Sequence, residues 1–196
     1  MKVRESIKEN EVIKTEKGIN RGLETERLNI LPLQPYQLAL SVENYGEMQM
    51  ELGLKVSATI LEEEMQYAMK VRLRKSLEDV GNYFWYTNWA IIHKEENQII
   101  GFIMIKDYPN KLGEVIVGYG IDEVYRRSGY ATEALNRLTE WIFENPKAFS
   151  VIADTEKENI PSHKLLQKVG AFKFKETDEL IWWKIERGAW KCRNKK

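Results

Sequence analysis

The sequence predicts a mixed α/β fold in which helices flank one sheet. The first observation is length, because 196 residues, 43% of them hydrophobic, can bury one substantial core without requiring two. The second is order, since runs with helical spacing alternate with short β-rich runs from residue 23 to residue 186. The third is a set of three successive β-rich runs with short polar connections, which favours an antiparallel meander.

The first half of the chain contains one predicted strand and two helical regions. Residues 1–22 are polar and mixed in charge, so we expect an N-terminal extension. Leu28 and Ile30 alternate with polar neighbours in "LETERLNILPL", which predicts the first strand. Residues 35–53 have a weak helical pattern. The stretch "ILEEEMQYAMKVRLRKSLEDV" predicts an amphipathic helix, whose apolar stripe would comprise Leu61, Met65, Ala68, Met69, Leu73 and Leu77.

The second half supplies most of the sheet. The meander comprises "WAIIH", "QIIGFIMIK" and "GEVIVGYGI", and a second amphipathic helix follows and ends before Pro146. "FSVIA" predicts a short strand, "PSHKLLQKVG" predicts a helix that ends at Gly170, and "AFKF" and "LIWWKI" predict two closing strands. We therefore expect a domain over residues 23–190 and a basic tail over 191–196.

Composition excludes several classes of partner. Thirty basic and thirty acidic residues balance, so the overall charge predicts no binding to nucleic acid or to an anionic membrane. No window approaches the roughly 18 apolar residues of a membrane span. Cys192 has no second cysteine to pair with, which favours a reducing compartment, and we expect a cytoplasmic protein. His93, His163 and Cys192 lack metal-site spacing, so no metal is expected.

The stretch "YRRSGYATEAL", residues 125–135, places two arginines and a glycine at the start of the second amphipathic helix. The first turn of a helix leaves amide hydrogens unpaired and carries about half a positive charge. Gly129 permits close approach, while Arg126 and Arg127 add charge. This combination predicts a phosphate site.

Two common phosphate loops do not fit this stretch. The sequence contains no GxxxxGK(S/T), and Gly118 and Gly120 begin a GxGxxG in which Glu123 occupies the third glycine position.

"RRSGYA", Arg126 to Ala131, matches the RxxGxG/A motif of the GNAT superfamily of N-acetyltransferases, which the chain resembles. "NIPSHKLLQKVGAF" is similar to a second landmark of that family, in which an asparagine precedes a helix that ends in glycine and phenylalanine. "LETERLNI" resembles the opening strand of the branch that includes ribosomal-protein N-terminal (alanine/serine) acetyltransferases. The resemblance spans about residues 23 to 186.

The resemblance implies a mixed, mostly antiparallel sheet that splays between its fourth and fifth strands, here "EVIVGYGI" and "FSVIA". The pantetheine arm of acetyl-CoA, the expected co-substrate, would lie in that gap. Backbone groups at Tyr119, Gly120 and Ile121 would bond the arm, and Asn159 would reach the pantetheine or the region of the sulfur. The residues expected around the pyrophosphate are Arg126, Arg127, Ser128, Gly129, Tyr130, Ala131 and Thr132.

Two catalytic candidates remain open to simpler interpretations. Relatives often carry a glutamate where this chain has Ile116, so Glu114, on the same strand face, is the candidate base, directly or through water. Its alternative is a solvated glutamate. The family's frequent tyrosine acid is replaced by Leu166, so Ser162 is the candidate proton donor or thiolate stabiliser. Ser162 and Asn159 could instead only cap a helix.

The implied reaction is direct transfer of an acetyl group from acetyl-CoA to a primary amine, without a metal or a covalent intermediate. A protein N-terminal α-amine is the expected acceptor, because its pKa of about 8 makes deprotonation easier than for a lysine at about 10.4. The alternatives are a polyamine or aminoglycoside acceptor, or a non-catalytic acyl-CoA binding or sensing module. The aromatic cluster "NYFWYTNW" could line an acceptor groove or pack against the sheet. Trp182 and Trp183 on the closing strands leave a homodimer open.

Overall fold

A computed structural model describes residues 22–57 and 60–193, and within them eight strands form one sheet. The strands are β1 (Leu23–Glu24), β2 (Leu28–Pro32), β3 (Asn88–His93), β4 (Gln98–Ile105), β5 (Glu114–Ile121), β6 (Ser150–Glu156), β7 (Phe172–Glu176) and β8 (Leu180–Glu186). Their order in the sheet is β1-β2-β3-β4-β5-β6-β8-β7. All neighbours pair antiparallel except β5 and β6, which are parallel. The predicted mixed sheet and its central meander are confirmed.

Helices cover both faces of this sheet. In the described residues they are α1 (Pro35–Glu43), α2 (Tyr45–Glu51), α3 (Glu63–Glu78), α4 (Tyr130–Glu144), α5 (Ile160–Lys168) and α6 (Arg187–Arg193). Short 3₁₀ segments occupy Val80–Trp85 and Glu123–Tyr125. One buried cluster joins α4 and α5 to the sheet, and a second joins α1, α2 and α3 to the opposite face. We call these faces the α4 side and the α3 side.

Strand alternation decides which β5 side chains meet each face. Val115 and Val117 are buried in the cluster on the α4 side, where Ala134 and Leu138 of α4 also pack. Ile116 lies between them, and it and the other even-numbered residues of β5 point to the α3 side. This phase positions the polar side chains that are described below.

Several predicted elements differ in detail. The first strand is preceded by β1, which pairs with β2 across a turn at residues 25–27. Strand β6 continues three residues past the predicted "FSVIA", because Asp154, Thr155 and Glu156 pair with β8. The C-terminal helix α6 was not predicted. It extends into the segment expected to be a basic tail.

The predicted apolar stripe of α3 is confirmed except at its end, since Leu61, Met65, Met69 and Leu73 all belong to or pack against the cluster on the α3 side. Met69 is buried, but Leu77 is 44% exposed, and the buried positions include Arg72 and Ser76. The guanidinium of Arg72 donates to the carbonyl oxygen of Lys106 at 2.6 Å, and this contact compensates for its burial. A charged residue therefore takes a position that helical periodicity would give to an apolar one.

The aromatic cluster packs in the core. Trp85 and Trp89 are 4% and 0% exposed, and their rings lie 4.7 and 5.0 Å from the ring of Trp141 on α4. These two tryptophans therefore follow the packing interpretation rather than lining an open groove.

The boundaries of the predicted extension and tail stay predictions, because residues 1–21 and 194–196 lie outside the described residues. Among helices of the described segments, none has the length and apolar character needed to cross a membrane. In the same part of the chain, no group of three or more His, Cys, Asp or Glu side chains is arranged to hold a metal ion.

Candidate active site

The loop before α4 has an unusual backbone. Gly129 is the N-cap of α4 with φ +86°, and Arg127 also lies in the left-handed region with φ +65°. Glycine adopts that region freely, whereas a residue with a β-carbon pays about 1–2 kcal/mol. The first intrahelical bond joins the Glu133 amide to the Gly129 carbonyl, so the amides of residues 130–132 have no acceptor within the helix. The start of α4 therefore has amides available to an anion, and the anion site itself stays a prediction.

A contact between distant parts of the sequence holds this loop, and we call it the Arg27 latch. The carboxylate of Glu133 accepts from the Thr25 hydroxyl at 2.5 Å and from the Arg27 amide at 3.0 Å. The Arg27 guanidinium reaches the same carboxylate at 2.7 Å through Nη2 and donates from Nη1 to the Ser128 carbonyl at 3.0 Å. The turn between β1 and β2 is thereby joined to both the loop and the first turn of α4.

The latch also fixes the protonation of Glu133. Burial alone would raise the pKa of this carboxyl, but hydrogen bonds from Thr25 and Arg27, together with the charge of Arg27, lower it below its ordinary value. The carboxylate is thus charged and fully engaged at neutral pH. The Arg27 guanidinium is therefore bonded to Glu133 and to the loop, and it is not free to bind an anion.

Some of the remaining loop residues are held by contacts with other elements, and the others are exposed. Tyr130 lies under the Arg27 guanidinium, 4.3 Å from the ring centroid, and its hydroxyl meets His93 Nε2 at 3.0 Å. Arg126 Nε donates to the Ile121 carbonyl at 3.0 Å, which connects the loop to the end of β5. The predicted residues from Arg126 to Gly129 are exposed, and Ala131 and Thr132 are half-buried beside them. They form one contiguous surface.

Strands β5 and β6 separate halfway along β5. Their parallel register runs from Glu114 opposite Ser150 to Val117 opposite Ala153, and the described strands pair no further. Beyond this point β5 stays paired with β4, while β6 stays paired with β8. We call the resulting gap the split, and its position matches the implied splay.

The main chain of β5 offers bonding groups to the split. The Lys106 amide donates to the Ile116 carbonyl, and the Asp122 amide donates to the Ile100 carbonyl, so the even-numbered residues of β5 bond to β4. By alternation, the N–H and C=O groups of Tyr119 and Ile121 point towards β6, where the Ile121 carbonyl already accepts from Arg126 Nε. Gly120 bonds towards β4, and a β-carbon there would meet nothing within 4 Å. The N–H and C=O of Tyr119 and the N–H of Ile121 thus face the split, and Gly120 supplies an open surface.

Three predicted residues meet on the α4 side of the split. Asn159 caps α5, and its side chain accepts from the Ser162 amide at 3.2 Å, so the capping interpretation describes this contact. The Tyr119 hydroxyl is buried and makes no hydrogen bond of ordinary geometry within the described residues. Burial raises its pKa to about 12, against a smaller lowering by the nearby Ser162 hydroxyl. Tyr119 therefore keeps its proton at neutral pH.

Glu114 lies where β5 and β6 still pair. Its carboxylate contacts Lys184 Nζ at 3.0 Å and accepts from Asn110 at 3.2 Å. The hydrogen bond from Lys184 lowers the pKa of Glu114 below its ordinary value. Four residues of strand, roughly 13 Å, separate Glu114 from Gly118 at the start of the split. Its role as a base stays a prediction, and at that distance it would need a water relay.

The α3 side of the split carries a charged pair that sequence reasoning missed. Asp154 is the first residue of β6 beyond the paired segment, and its Oδ1 lies 3.1 Å from Lys106 Nζ. The predicted strand ended at Ala153, so the register that places Asp154 here could not be derived. A signal did exist, since an acidic residue directly follows the apolar run "VIA".

Fold and site together define a class of protein: a coenzyme A-dependent acyltransferase fold, in which a sheet opens beside a glycine-led helix start. The chain belongs to the GNAT acetyltransferase domain family, whose model matches residues 27–171. Members of this family are N-acetyltransferases that use acetyl-CoA. The predicted family and co-substrate are therefore confirmed.

Three similar proteins illustrate the relationship. The uncharacterized N-acetyltransferase YjdG of Bacillus subtilis (strain 168) is 28% identical over 85 residues, which is 43% of this chain and 51% of that protein. The chain spans about half the length of the curated relatives it matches. Two solved structures share the fold more completely. Ribosomal-protein-S5-alanine acetyltransferase from Vibrio fischeri has a TM-score of 0.64 and 18% identity over 86% of this chain and 98% of that chain. Mycobacterium smegmatis RimJ in complex with CoA-disulfide has a TM-score of 0.60 and 16% identity, with 88% and 90% covered.

Proposed function

We propose that the protein transfers an acetyl group from acetyl-CoA directly to a primary amine, and that the amine is a protein N-terminal α-amine. The observation that carries the activity is the split of β5 from β6 beside the Gly129 helix start. A cofactor in this position would place its pyrophosphate at residues 126–132 and its thioester between the two faces of the sheet. The cofactor residues then keep the roles that the sequence predicts.

Holding the thioester and the amine together supplies most of the catalysis that such a transfer needs. Proximity alone contributes roughly 7 to 11 kcal/mol in well-oriented systems. The departing thiolate would meet Ser162 and the protonated hydroxyl of Tyr119 on the α4 side. We assign proton donation or thiolate stabilisation to Ser162, as predicted, and add Tyr119 as its neighbour in that task.

The charges around the split support an α-amine over a polycation. Lys106 pairs with Asp154, and Lys184 pairs with Glu114, so the carboxylates on the α3 side are matched by lysines. A polyamine or an aminoglycoside would favour a surface with excess carboxylate. Likeness to the ribosomal-protein alanine acetyltransferase adds to this proposal at the level of the fold.

The experiment measures free CoA released from acetyl-CoA by the full chain. The acceptors are short peptides beginning with alanine or serine, the same peptides N-acetylated, spermidine and kanamycin. We expect release with free N-terminal peptides and none with the acetylated controls. Release with spermidine or kanamycin alone would contradict the acceptor class. Binding of acetyl-CoA without release on the whole panel would instead support the sensing module.

Cellular placement and assembly belong to the same proposal. We infer a cytoplasmic enzyme because protein N-termini of this class are made there, and a homodimer remains a prediction from the closing strands. Fractionation and sedimentation measurements address these two points.

A further inference from the structure

The ion pair between Lys106 and Asp154 spans the sheet where the split begins. Lys106 directly follows β4, Asp154 belongs to β6, and β5 lies between them. Their contact, at 3.1 Å, therefore crosses one whole strand. The pair lies on the α3 side, opposite Tyr119 and Ser162.

Glycine makes this crossing possible. Extending the β5–β6 register by one residue would bring Gly118 opposite Asp154. A β-carbon at Gly118 would lie 3.3 Å from Met104 Cγ and 3.9 Å from Lys106 Cε, so the lysine chain runs over the glycine. A larger residue at this position would displace Lys106 from the mouth of the split.

The pair remains accessible to solvent and can be exchanged. The side chains of Lys106 and Asp154 are 39% and 24% exposed, and partly exposed ion pairs contribute little to stability. Trp182 pairs with Asp154 in the β6–β8 register, so its side chain borders the carboxylate on the same face. The resulting surface offers the Asp154 carboxylate, its displaceable partner Lys106 and the Trp182 ring, over which Lys175 Nζ also lies, 5.3 Å from the ring centroid.

We propose that Asp154 binds the ammonium group of the acceptor, which displaces Lys106 from the carboxylate. The bound ammonium then releases one proton to solvent, which reaches this partly exposed pair, before its nitrogen attacks the thioester. The ligand is a primary alkylammonium of single charge, since one carboxylate exchanges one cation for another. This inference rests on the proposed function and names the acceptor contact of that site. Lys106 acts as a competing cation that occupies the position until an acceptor arrives.

The test uses opposite expectations for the two partners. Asp154→Asn should raise the acceptor KM about tenfold or more, whereas Lys106→Met, which keeps the aliphatic chain over Gly118, should lower it a few-fold, about threefold. Asp107→Asn is the matched control, because Asp107 adjoins Lys106 in sequence but pairs with Lys75, and its KM should stay within about twofold. The affinity for CoA should be unchanged in all three variants.

A structural role would change these measurements differently. If the pair only braces the sheet, both variants should lower the melting temperature, and neither should change KM selectively. Equal KM values for Asp154→Asn and Asp107→Asn, with wild-type turnover intact, would overturn the inference and leave the proposed function standing.

Calorimetry separates the two failures when no acceptor turns over. The protein saturated with CoA would be titrated with an alanine-initiated peptide and with its N-acetylated form. Selective binding of the free peptide that Asp154→Asn abolishes would support the acceptor site while the transfer proposal fails. Absence of peptide binding by the wild-type chain would overturn both.

Discussion

The loop before α4 takes its shape from contacts with the other end of the sequence, whereas the split takes its shape from strand pairs that stop. In the loop, Arg127 and Gly129 hold left-handed backbone angles, and the Arg27 latch reaches them across 101 positions to Ser128. In the split, Tyr119 offers main-chain groups on the side where β5 and β6 no longer pair, and a buried hydroxyl that makes no hydrogen bond of ordinary geometry and lies near the Ser162 hydroxyl. The comparison teaches that protein contacts fix the backbone of the loop, while the groups of the split are available to a ligand.

Breaking the latch should produce the largest effect. Arg27→Met removes the Ser128 contact and leaves the Glu133 carboxylate, which is 19% exposed, with fewer donors. We expect the Kd for CoA to rise about tenfold, which is about 1.4 kcal/mol, and the melting temperature to fall. Glu140→Gln, which removes the ion pair with Arg137 from the exposed face of α4 and leaves Arg137 in place, is the control and should leave the Kd unchanged. An unchanged Kd for Arg27→Met would show that the loop holds its shape unaided.

A substitution in the split should have an effect of intermediate size, with stability rising and turnover falling. Tyr119→Phe removes a buried hydroxyl that makes no hydrogen bond of ordinary geometry, although the Ser162 hydroxyl lies nearby, so we expect unfolding to require up to about 1 kcal/mol more. If that hydroxyl meets the thiolate, kcat should fall about tenfold or more while the Kd for CoA stays constant. Tyr108→Phe, whose hydroxyl accepts from Asn145 at 3.1 Å, is the control and should not gain stability. Gain of stability with unchanged kcat would limit Tyr119 to packing.

The smallest effect is a pH dependence that belongs to the latch. The pKa of Glu133 lies below its ordinary 4.5, so the charged form contributes stability above that pH and loses it as the pH falls through the folded-state value. Unfolding free energies measured from pH 7 to pH 3 should therefore decline more steeply for the wild-type chain than for Glu133→Gln. Parallel curves would assign the acid sensitivity to other carboxyl groups.

Local sequence features predicted one region better than the other. Gly129 lies within three residues of both arginines, so their motif and the helix start could be predicted together, whereas the left-handed backbone of Arg127 was not predicted. The latch could not, because Arg27 and Glu133 are 106 positions apart and only the folded sheet brings them together. Glu114 illustrates the same difficulty, since its partner Lys184 lies 70 positions away.

The α3 side of the split was the least predictable part. Strand alternation gave the face of Glu114 correctly, but the length of β6 and the register that brings Asp154 near Lys106 depend on pairing with β8. Likewise, Arg72 is a buried charged residue that the apolar stripe of α3 does not predict, because its guanidinium is compensated by the Lys106 carbonyl just after β4. Periodicity in the sequence does not predict the positions of these residues, because contacts with distant strands determine them.

Strand β5 lacks a neighbour beyond Val117 on the side that faces β6, so a bound coenzyme would act as a removable strand of the sheet. Amide groups of the pantetheine arm would take the place of the missing neighbour beside Tyr119 and Ile121. Occupancy then counts as part of the folding equilibrium, and a ligand at a hundred times its Kd adds about 2.7 kcal/mol to the native state. Supply of the coenzyme would in this way raise the fraction of folded molecules as well as the rate of the reaction.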